Sequence, residues 1–359
     1  MEEYSCKTKL YIGCGSTKVL QQLGIQRLFV VSDPYFAKNG TAQAIADSAG
    51  AQSTQIYSQV TPDPTVTQVA QATAAMTEFA PDTVVALGGG SALDCAKAMV
   101  CFSKQQVLFV AIPTTSGSGS EVTDFAILTH NGVKHPLIDE SLQPDVAILD
   151  SDLLKQLPPG LIADTGFDVL SHALEAYAAT GSSLITDALA EKAFCTAFQA
   201  LPRSYAGDTG MRLPMHQASS MAAMAFNRAG LGLCHAMSHA MGAVYHIPHG
   251  RLNAILLPAV VEANDAAREK YAALAAMVGL GSAGVTLGVR NLKIALIRLR
   301  KQLNLPDTLA ACGVTAQQFR QTREQVITAA LADPCCKTNP VPVTRALVSG
   351  VLEGVSGGR

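Results

Sequence analysis

The sequence predicts two domains: an α/β domain built on a Rossmann-like parallel sheet over residues 1–157, then an all-α domain over residues 158–359. Three observations carry that expectation. Short β-branched runs recur through the first 150 residues between helical patterns, the chain breaks at Leu157-Pro-Pro-Gly160, and only helical periodicity follows. A chain of 359 residues also exceeds the size at which a single core usually stops growing.

The strands come first. RLFVVSD (27–33), TVVALGGG (83–90), VLFVAIP (107–113) and VAILD (146–150) are continuous apolar runs bounded by Gly, Pro or Asp. Such runs suit strands covered on both faces, as in a parallel sheet. Helical patterns lie between them at 65–79 and 91–101. Beyond the break, helices are expected at 161–179, 183–200, 212–228, 252–277 and 286–302, and only the tail GVSGGR reads as disordered.

Composition excludes several classes of function. Lys and Arg number 26 against 28 Asp and Glu, so no global charge draws the chain to nucleic acid or to an anionic membrane. No apolar run reaches the ~18 residues of a membrane span, and the opening MEEYSCKTKLYIG lacks the apolar centre of a signal peptide. The nine cysteines include no C-x-x-C and an adjacent pair, Cys335 and Cys336, a pattern of reduced thiols in a cytoplasmic protein. With 48% hydrophobic and 15% charged residues, much surface is buried, part of it expected in contacts of a homo-oligomer.

Three stretches could carry chemistry. In TVVALGGGSALDCAKAM (83–99) a strand runs through three glycines into a helix, where bare backbone and the positive helix end suit a phosphate. It is not the spaced G-x-G-x-x-G fingerprint, and a tight turn explains it nearly as well. A second polar loop, IPTTSGSGSEVTD (112–124), also follows a strand, the place where open α/β sheets bind ligands. Asp33 ends RLFVVSD, where a carboxylate can accept from an adenosine ribose and repel a 2′-phosphate; a turn residue before Pro34 is the plain alternative.

In TGFDVLSHALEAY (165–177), Asp168 and His172 stand four apart and share a helix face that the apolar surroundings turn inward. A divalent metal would satisfy both, as would an ordinary hydrogen-bonded pair. GLGLCHAMSHAMGAVYHIPHG (230–250) holds four of the chain's eight histidines: His235, His239, His246 and His249. Together with Asp168 and His172, that set suits Zn²⁺ or Fe²⁺ rather than a soft structural site. His235 and His239 lie on one helical face, so spacing does not decide which of them is a ligand.

Taken together, GGGSALDCAK, IPTTSGSGSEVT, PDVAILD, TGFDVLSHALEAY and GLGLCHAMSHAMGAVYHIPHG resemble the iron-containing (group III) alcohol dehydrogenase family over nearly the whole chain. SCKTKLYIGCGS and the length are most similar to the 1-propanol dehydrogenases of bacterial microcompartments. The resemblance implies a dehydroquinate synthase-like architecture with the active site in the cleft between the domains. It implies Asp168, His172, His235 and His249 as ligands of Fe²⁺ or Zn²⁺, and His239 as a non-ligating catalytic residue beside substrate and nicotinamide. NAD(H) is then expected on Gly88, Gly89, Gly90, Ser91 and Asp94, on Thr114, Thr115 and Ser118, on Lys134 near the nicotinamide ribose, and on Asp33.

His246 matches no required role and is expected to line the cleft or to stand behind the ligands. Asp164 and Phe167 depart from the family's usual residues, and NPVPVT (339–344) lacks its usual arginine. The expected reaction interconverts short aldehydes, propionaldehyde or acetaldehyde, and primary alcohols, regenerating NAD⁺ among microcompartment shell or lumen enzymes. Competing readings are a diol or lactaldehyde reductase, a sugar-phosphate cyclase lacking this Asp/His set, and a metal- and nucleotide-binding component without turnover.

Overall fold

Alternate residues of the apolar runs go to opposite sides of one sheet, and each side has its own core. The computed structural model describes residues 4–130, 133–281 and 283–357. They form two compact units, Met1–Leu157 and Pro158–Arg359.

Among its described residues the first unit holds eight strands: β1 (Lys9–Ile12), β2 (Arg27–Ser32), β3 (Ser53–Tyr57), β4 (Thr83–Gly88), β5 (Leu108–Pro113), β6 (Phe125–His130), β7 (Val133–Ile138) and β8 (Val146–Leu149). Six make a parallel sheet in the order β1-β8-β5-β4-β2-β3. Its helices are α1 (Pro34–Lys38), α2 (Thr41–Ala49), α3 (Val66–Phe79) and α4 (Gly90–Ser103). Phe29, Val31, Val84, Ala86, Phe109 and Ala111 pack with α3 and α4 on one face. Leu28, Val30, Val85, Leu87, Val110 and Ile112 pack with α2 on the other. Double coverage explains why these strands read as unbroken apolar runs.

The edge strands β1 and β3 were absent from the sequence expectation. Each is half exposed, and β3 reads STQIY, so neither shows a buried run. The antiparallel hairpin β6–β7 is likewise additional; it carries Pro136 in its second strand.

The second unit contains α5 (Pro159–Ala178), α6 (Leu184–Tyr205), α7 (Arg212–Ala229), α8 (Leu233–Tyr245), α9 (His249–Ala263), α10 (Arg268–Met277), α11 (Val285–Gln302), α12 (Ala316–Ala332) and α13 (Arg345–Ser356). Among its described residues there is no strand. Helix α5 is buried almost all round and packs against α6, α7 and α9, so it is the central helix. The single helix expected over 252–277 is two. Asn264 leaves helical geometry, and its side chain is held by Asn339 in a buried pair of amide hydrogen bonds of 2.9 and 3.2 Å. The tail is more ordered than expected, since α13 runs through Gly354-Val355-Ser356.

Close helix contact explains Gly250, the second residue of α9. A Cβ there would sit 1.9 Å from the Asp164 carbonyl oxygen and 3.3 Å from the Asp168 Cβ. Only glycine lets α9 approach α5 so closely. Arg251 clamps the same crossing with two hydrogen bonds to Asp164, of 3.1 and 2.8 Å. The unusual carboxylate noted in the sequence is thus half of a bidentate pair.

Candidate functional site

Three helices of the second unit bring four donors together. Asp168 and His172 come from one face of α5, His235 from the first turn of α8, and His249 from the start of α9. One ligand atom from each lies within 4.8 Å of all the others. The Asp168 Oδ1 is 3.9 Å from His172 Nε2, 3.8 Å from His235 Nε2 and 3.5 Å from His249 Nε2. The two longer separations are not hydrogen bonds. They are near what a shared ion produces, since two atoms each about 2.1 Å from a tetrahedral centre lie about 3.4 Å apart.

The rings are fixed by packing. His172 stacks on His235 at 4.5 Å between centroids and on Phe226 at 4.4 Å. Asp168, His172 and His235 are buried, and His249 is about one-third exposed, which leaves a side open. The chemistry of the donor set, three imidazoles and a carboxylate, fits Fe²⁺ or Zn²⁺ with a position left for another ligand.

A second buried carboxylate, missed in the sequence, stands behind this cluster. Glu175 on α5 accepts from the backbone N–H of Gly232 (3.1 Å), Cys234 (2.6 Å) and His235 (3.3 Å). Asn339 Oδ1 accepts from Leu233 N at 3.0 Å. Helix α8 has no side-chain cap of its own, because its N-cap is Gly232. Its orphan donors are met instead by two residues distant in sequence. A Cβ on Gly232 would lie 2.7 Å from Asn339 Oδ1 and 3.0 Å from Glu175 Oε1, so this arrangement needs glycine.

Glu175 Oε2 also lies 2.6 Å from His235 Nδ1. This carboxylate, already the acceptor of three backbone N–H groups, accepts from the ring as well, so the ring proton sits on Nδ1 and Nε2 faces the cluster. Burial pulls the His235 imidazole down, but the Asp168 and Glu175 carboxylates outweigh it and push it up to about 9. Burial likewise opposes the Asp168 charge, and the imidazoles of His172, His249 and His235 reverse this, holding its carboxyl below the usual range. His249 falls well below its ordinary value through burial. Two enclosed carboxylates therefore create a field that calls for positive charge.

His249 Nδ1 pairs with Ser238 Oγ at 2.9 Å. Asn253, one turn along α9, donates to Asp168 Oδ1 at 2.8 Å and approaches His249 Nε2 at 3.2 Å. Asn253 was also missed; its signal was the i, i+4 spacing from His249. His239 is turned elsewhere, with Nδ1 2.8 Å from Asp333 Oδ2, while its ring stacks 5.1 Å from His249. His246 is exposed and closes α8 in the left-handed conformation, φ 55°.

In the first unit, the glycine turn joins β4 to α4. Gly88 has φ 155°, and a Cβ there would lie 2.6 Å from the Ala92 Cβ. Cβ atoms on Gly89 and Gly90 would lie 3.3 Å from Thr115 Oγ1 and 3.1 Å from Ser118 Oγ. Thr114 N donates to the Gly88 carbonyl at 2.9 Å, tying the two loops together. Asp33 Oδ2 would be 3.7 Å from a Gly88 Cβ, so the sheet order brings β2's carboxylate to this turn. Asp33 also caps α1, accepting from Tyr35 N and Phe36 N at 2.9 and 3.2 Å. The bare-backbone cradle, the start of α4 and the neighbouring hydroxyls fit a pyrophosphate.

Two expected cofactor residues are engaged within the protein. Asp94 accepts from Ser120 Oγ at 2.6 Å and Ile127 N at 3.0 Å, holding the second loop to the hairpin. Burial pushes its carboxyl up. Lys134 pairs with Asp63 at 2.5 Å, and Asp63 N donates to Ser91 Oγ at 3.3 Å, which links the lysine to the start of α4.

Comparison with known proteins agrees over both units. Residues 8–151 match the family described as iron-containing alcohol dehydrogenase, and residues 162–355 match the C-terminal part of the Fe-containing alcohol dehydrogenase family. The chain is 41% identical over 367 residues to the 1-propanol dehydrogenase PduQ of Citrobacter freundii, covering 98% of this chain and 99% of that one. It is 35% identical to an NADPH-dependent butanol dehydrogenase of Clostridium saccharobutylicum, covering 99% and 98%. The solved iron-containing alcohol dehydrogenase of Thermococcus thioreducens superposes with a TM-score of 0.91 at 30% identity, covering 99% of this chain and 100% of that one.

Proposed function

Because the chain belongs to the iron-containing alcohol dehydrogenase family, we propose that it is an NAD(H)-linked reductase of short aldehydes, reversible toward primary alcohols. The observation that carries this reading is the convergence of Asp168, His172, His235 and His249 within 4.8 Å. Those four residues would hold the divalent cation. When bound, that cation would supply Lewis acidity to the substrate oxygen, and a nicotinamide would supply or accept the hydride.

The chain's own residues do the rest. Glu175 keeps the His235 proton on Nδ1 and so presents Nε2. Asp333, held down to about 2 by the His239 contact despite its burial, is ionised and can only accept. His239 therefore carries its proton on Nδ1 and keeps the Nε2 lone pair for proton exchange with substrate, directly or through water. Gly88, Gly89 and Gly90 let a pyrophosphate meet the start of α4, near the hydroxyls of Thr115 and Ser118. Asp33 beside that turn favours a ribose hydroxyl over a 2′-phosphate, which supports NAD(H) over NADP(H).

Propionaldehyde and acetaldehyde are the proposed substrates, in line with the similarity to a 1-propanol dehydrogenase. From the cysteine pattern and the apolar composition we further propose a cytoplasmic homo-oligomer, and from the resemblance of residues 5–16 its enclosure in a microcompartment. Co-purification with isolated microcompartments and light scattering test that part. For the reaction, NADH absorbance is followed with propionaldehyde using metal-free enzyme and enzyme loaded with Fe²⁺ or Zn²⁺. Turnover only in the loaded enzyme supports the reading. Full turnover without metal, or none across short aldehydes, overturns it.

A further inference from the structure

A second group of metal-binding side chains lies beside the first. His239, Asp333 and Cys335 each offer a ligand atom, all within 4.8 Å of one another. Asp333 follows the last residue of α12 and caps the short turn Pro334–Thr338, its Oδ1 accepting from Cys335 N at 2.9 Å. That contact fixes Cys335 against the carboxylate, while Oδ2 accepts from His239 Nδ1 at 2.8 Å. The Cys335 sulfur lies within 4.8 Å of a carboxylate oxygen of Asp333. A sulfur, an imidazole nitrogen and a carboxylate oxygen thus converge on one small volume. The His239 side chain is about one-third exposed, so an ion has an entry.

We propose that His239, Asp333 and Cys335 form a second, weaker site for a thiophilic divalent cation such as Zn²⁺, and that filling it suppresses turnover. Sulfur, nitrogen and oxygen donors together suit Zn²⁺. The ion takes the place of two protons: the thiol proton leaves to solvent, the imidazole proton moves from Nδ1 to Nε2, and the cation bonds sulfur, Nδ1 and carboxylate. No electrons are exchanged. With its proton on Nε2, His239 no longer has a lone pair there, so proton exchange with substrate stops. This inhibitory half rests on the proton-relay reading of His239; the site itself does not.

Two features make the site the weaker one. Burial and the Asp333 charge hold the thiol proton tightly, raising Cys335 well above its ordinary value. A second cation would also stand near the first, since the His239 and His249 rings are 5.1 Å apart. The expected metal dependence is activation followed by inhibition.

The sulfur separates the two sites spectroscopically, because the first cluster contains none. Enzyme carrying one equivalent of Zn²⁺ is titrated with Co²⁺ while the near-ultraviolet thiolate-to-cobalt charge-transfer absorption and NADH consumption are recorded. The band should saturate at one Co²⁺ per chain as turnover falls several-fold. Cys335→Ser should lose both effects and Cys336→Ser keep both, each rate referred to that protein's own one-equivalent value. Absence of the band, or its survival in Cys335→Ser, overturns the site. A band that grows while turnover stays flat overturns the inhibitory half and, with it, the relay role of His239.

Discussion

Glu175 Oε2 lies 2.6 Å from His235 Nδ1, and the same carboxylate accepts three backbone N–H groups at the start of α8. One buried charge therefore sets both where the helix begins and which way its first histidine faces. Glu175→Gln keeps the volume but replaces an acceptor-only group with one that also donates. Metal affinity should fall about 10–100-fold, the usual cost of losing such a partner. Competition with a chromophoric chelator measures it. An unchanged affinity would show that α8 alone orients His235.

Asp333 plays the corresponding part for His239, outside the four-residue cluster. Asp333→Asn should leave one tightly held metal per chain and an unchanged KM for NADH, yet lower kcat by about tenfold to a hundredfold. That is less than the ~10²–10⁴-fold expected from deleting a general acid–base group outright, as in His239→Ala. Asp333→Glu should recover part of the loss. Metal analysis beside steady-state kinetics separates this positioning role from a structural one, which would lower metal content too.

Gly250 is the point at which α9 meets α5. With 1.9 Å between an added Cβ and the Asp164 carbonyl oxygen, Gly250→Ala must push the helices apart. His249 would then move away from Asp168 and His172. Overpacking of this kind costs ~1–3 kcal/mol, and metal affinity should weaken with it. Denaturant unfolding and metal titration of the same variant check both. Normal affinity in a destabilised variant would uncouple the helix crossing from the site.

The central strands and long helices were legible because double coverage writes itself as apolar runs and helical stripes. Edge strands β1 and β3 were not, since half-exposed strands with polar residues carry neither signal. The site was legible to the same degree. Spacing of four placed Asp168 with His172 and His235 with His239, but it left the two α8 histidines equivalent. What distinguishes them is Glu175, 60 residues from His235, and Asp333, 94 residues from His239. Local periodicity cannot report contacts of that range. The capping of α8 by Glu175 and Asn339 was hidden for the same reason.

Asp33 has two roles that substitution can separate. It lies beside Gly88 and caps α1 through Tyr35 N and Phe36 N. Asp33→Gly should raise kcat/KM with NADPH relative to NADH by removing the charge facing a 2′-phosphate. Asp33→Ser keeps a capping oxygen without the charge and should shift the ratio in the same direction. Replacing a capping carboxylate by Gly costs only a few tenths of a kcal/mol, so stability stays nearly constant. An unaltered cofactor ratio in both variants would leave Asp33 as a cap alone.

Lys97 is fully buried in α4 and donates to Thr123 O, Thr123 Oγ1 and Phe125 O, each at 2.9 Å, pinning the loop that follows β5 to the glycine-turn helix. Burial lowers the ammonium to about 8 from 10.5, although Asp94, Glu121 and Asp124 oppose the shift. Below pH 8 the folded and unfolded chains both carry the proton, so the group adds no pH dependence there. From about 8 to 10.5 the unfolded chain binds a proton that the folded protein has released, so this group makes stability rise with pH. Lys97→Met removes the titration and leaves the three acceptors without their donor. The variant should be less stable throughout, and the gap from the native protein should widen by ~1–3 kcal/mol across that alkaline window. Urea unfolding of both proteins at intervals through the window measures the gap, in which the other titrating groups largely cancel. A gap that stays constant, or narrows, would mean that Lys97 keeps its proton in the folded protein.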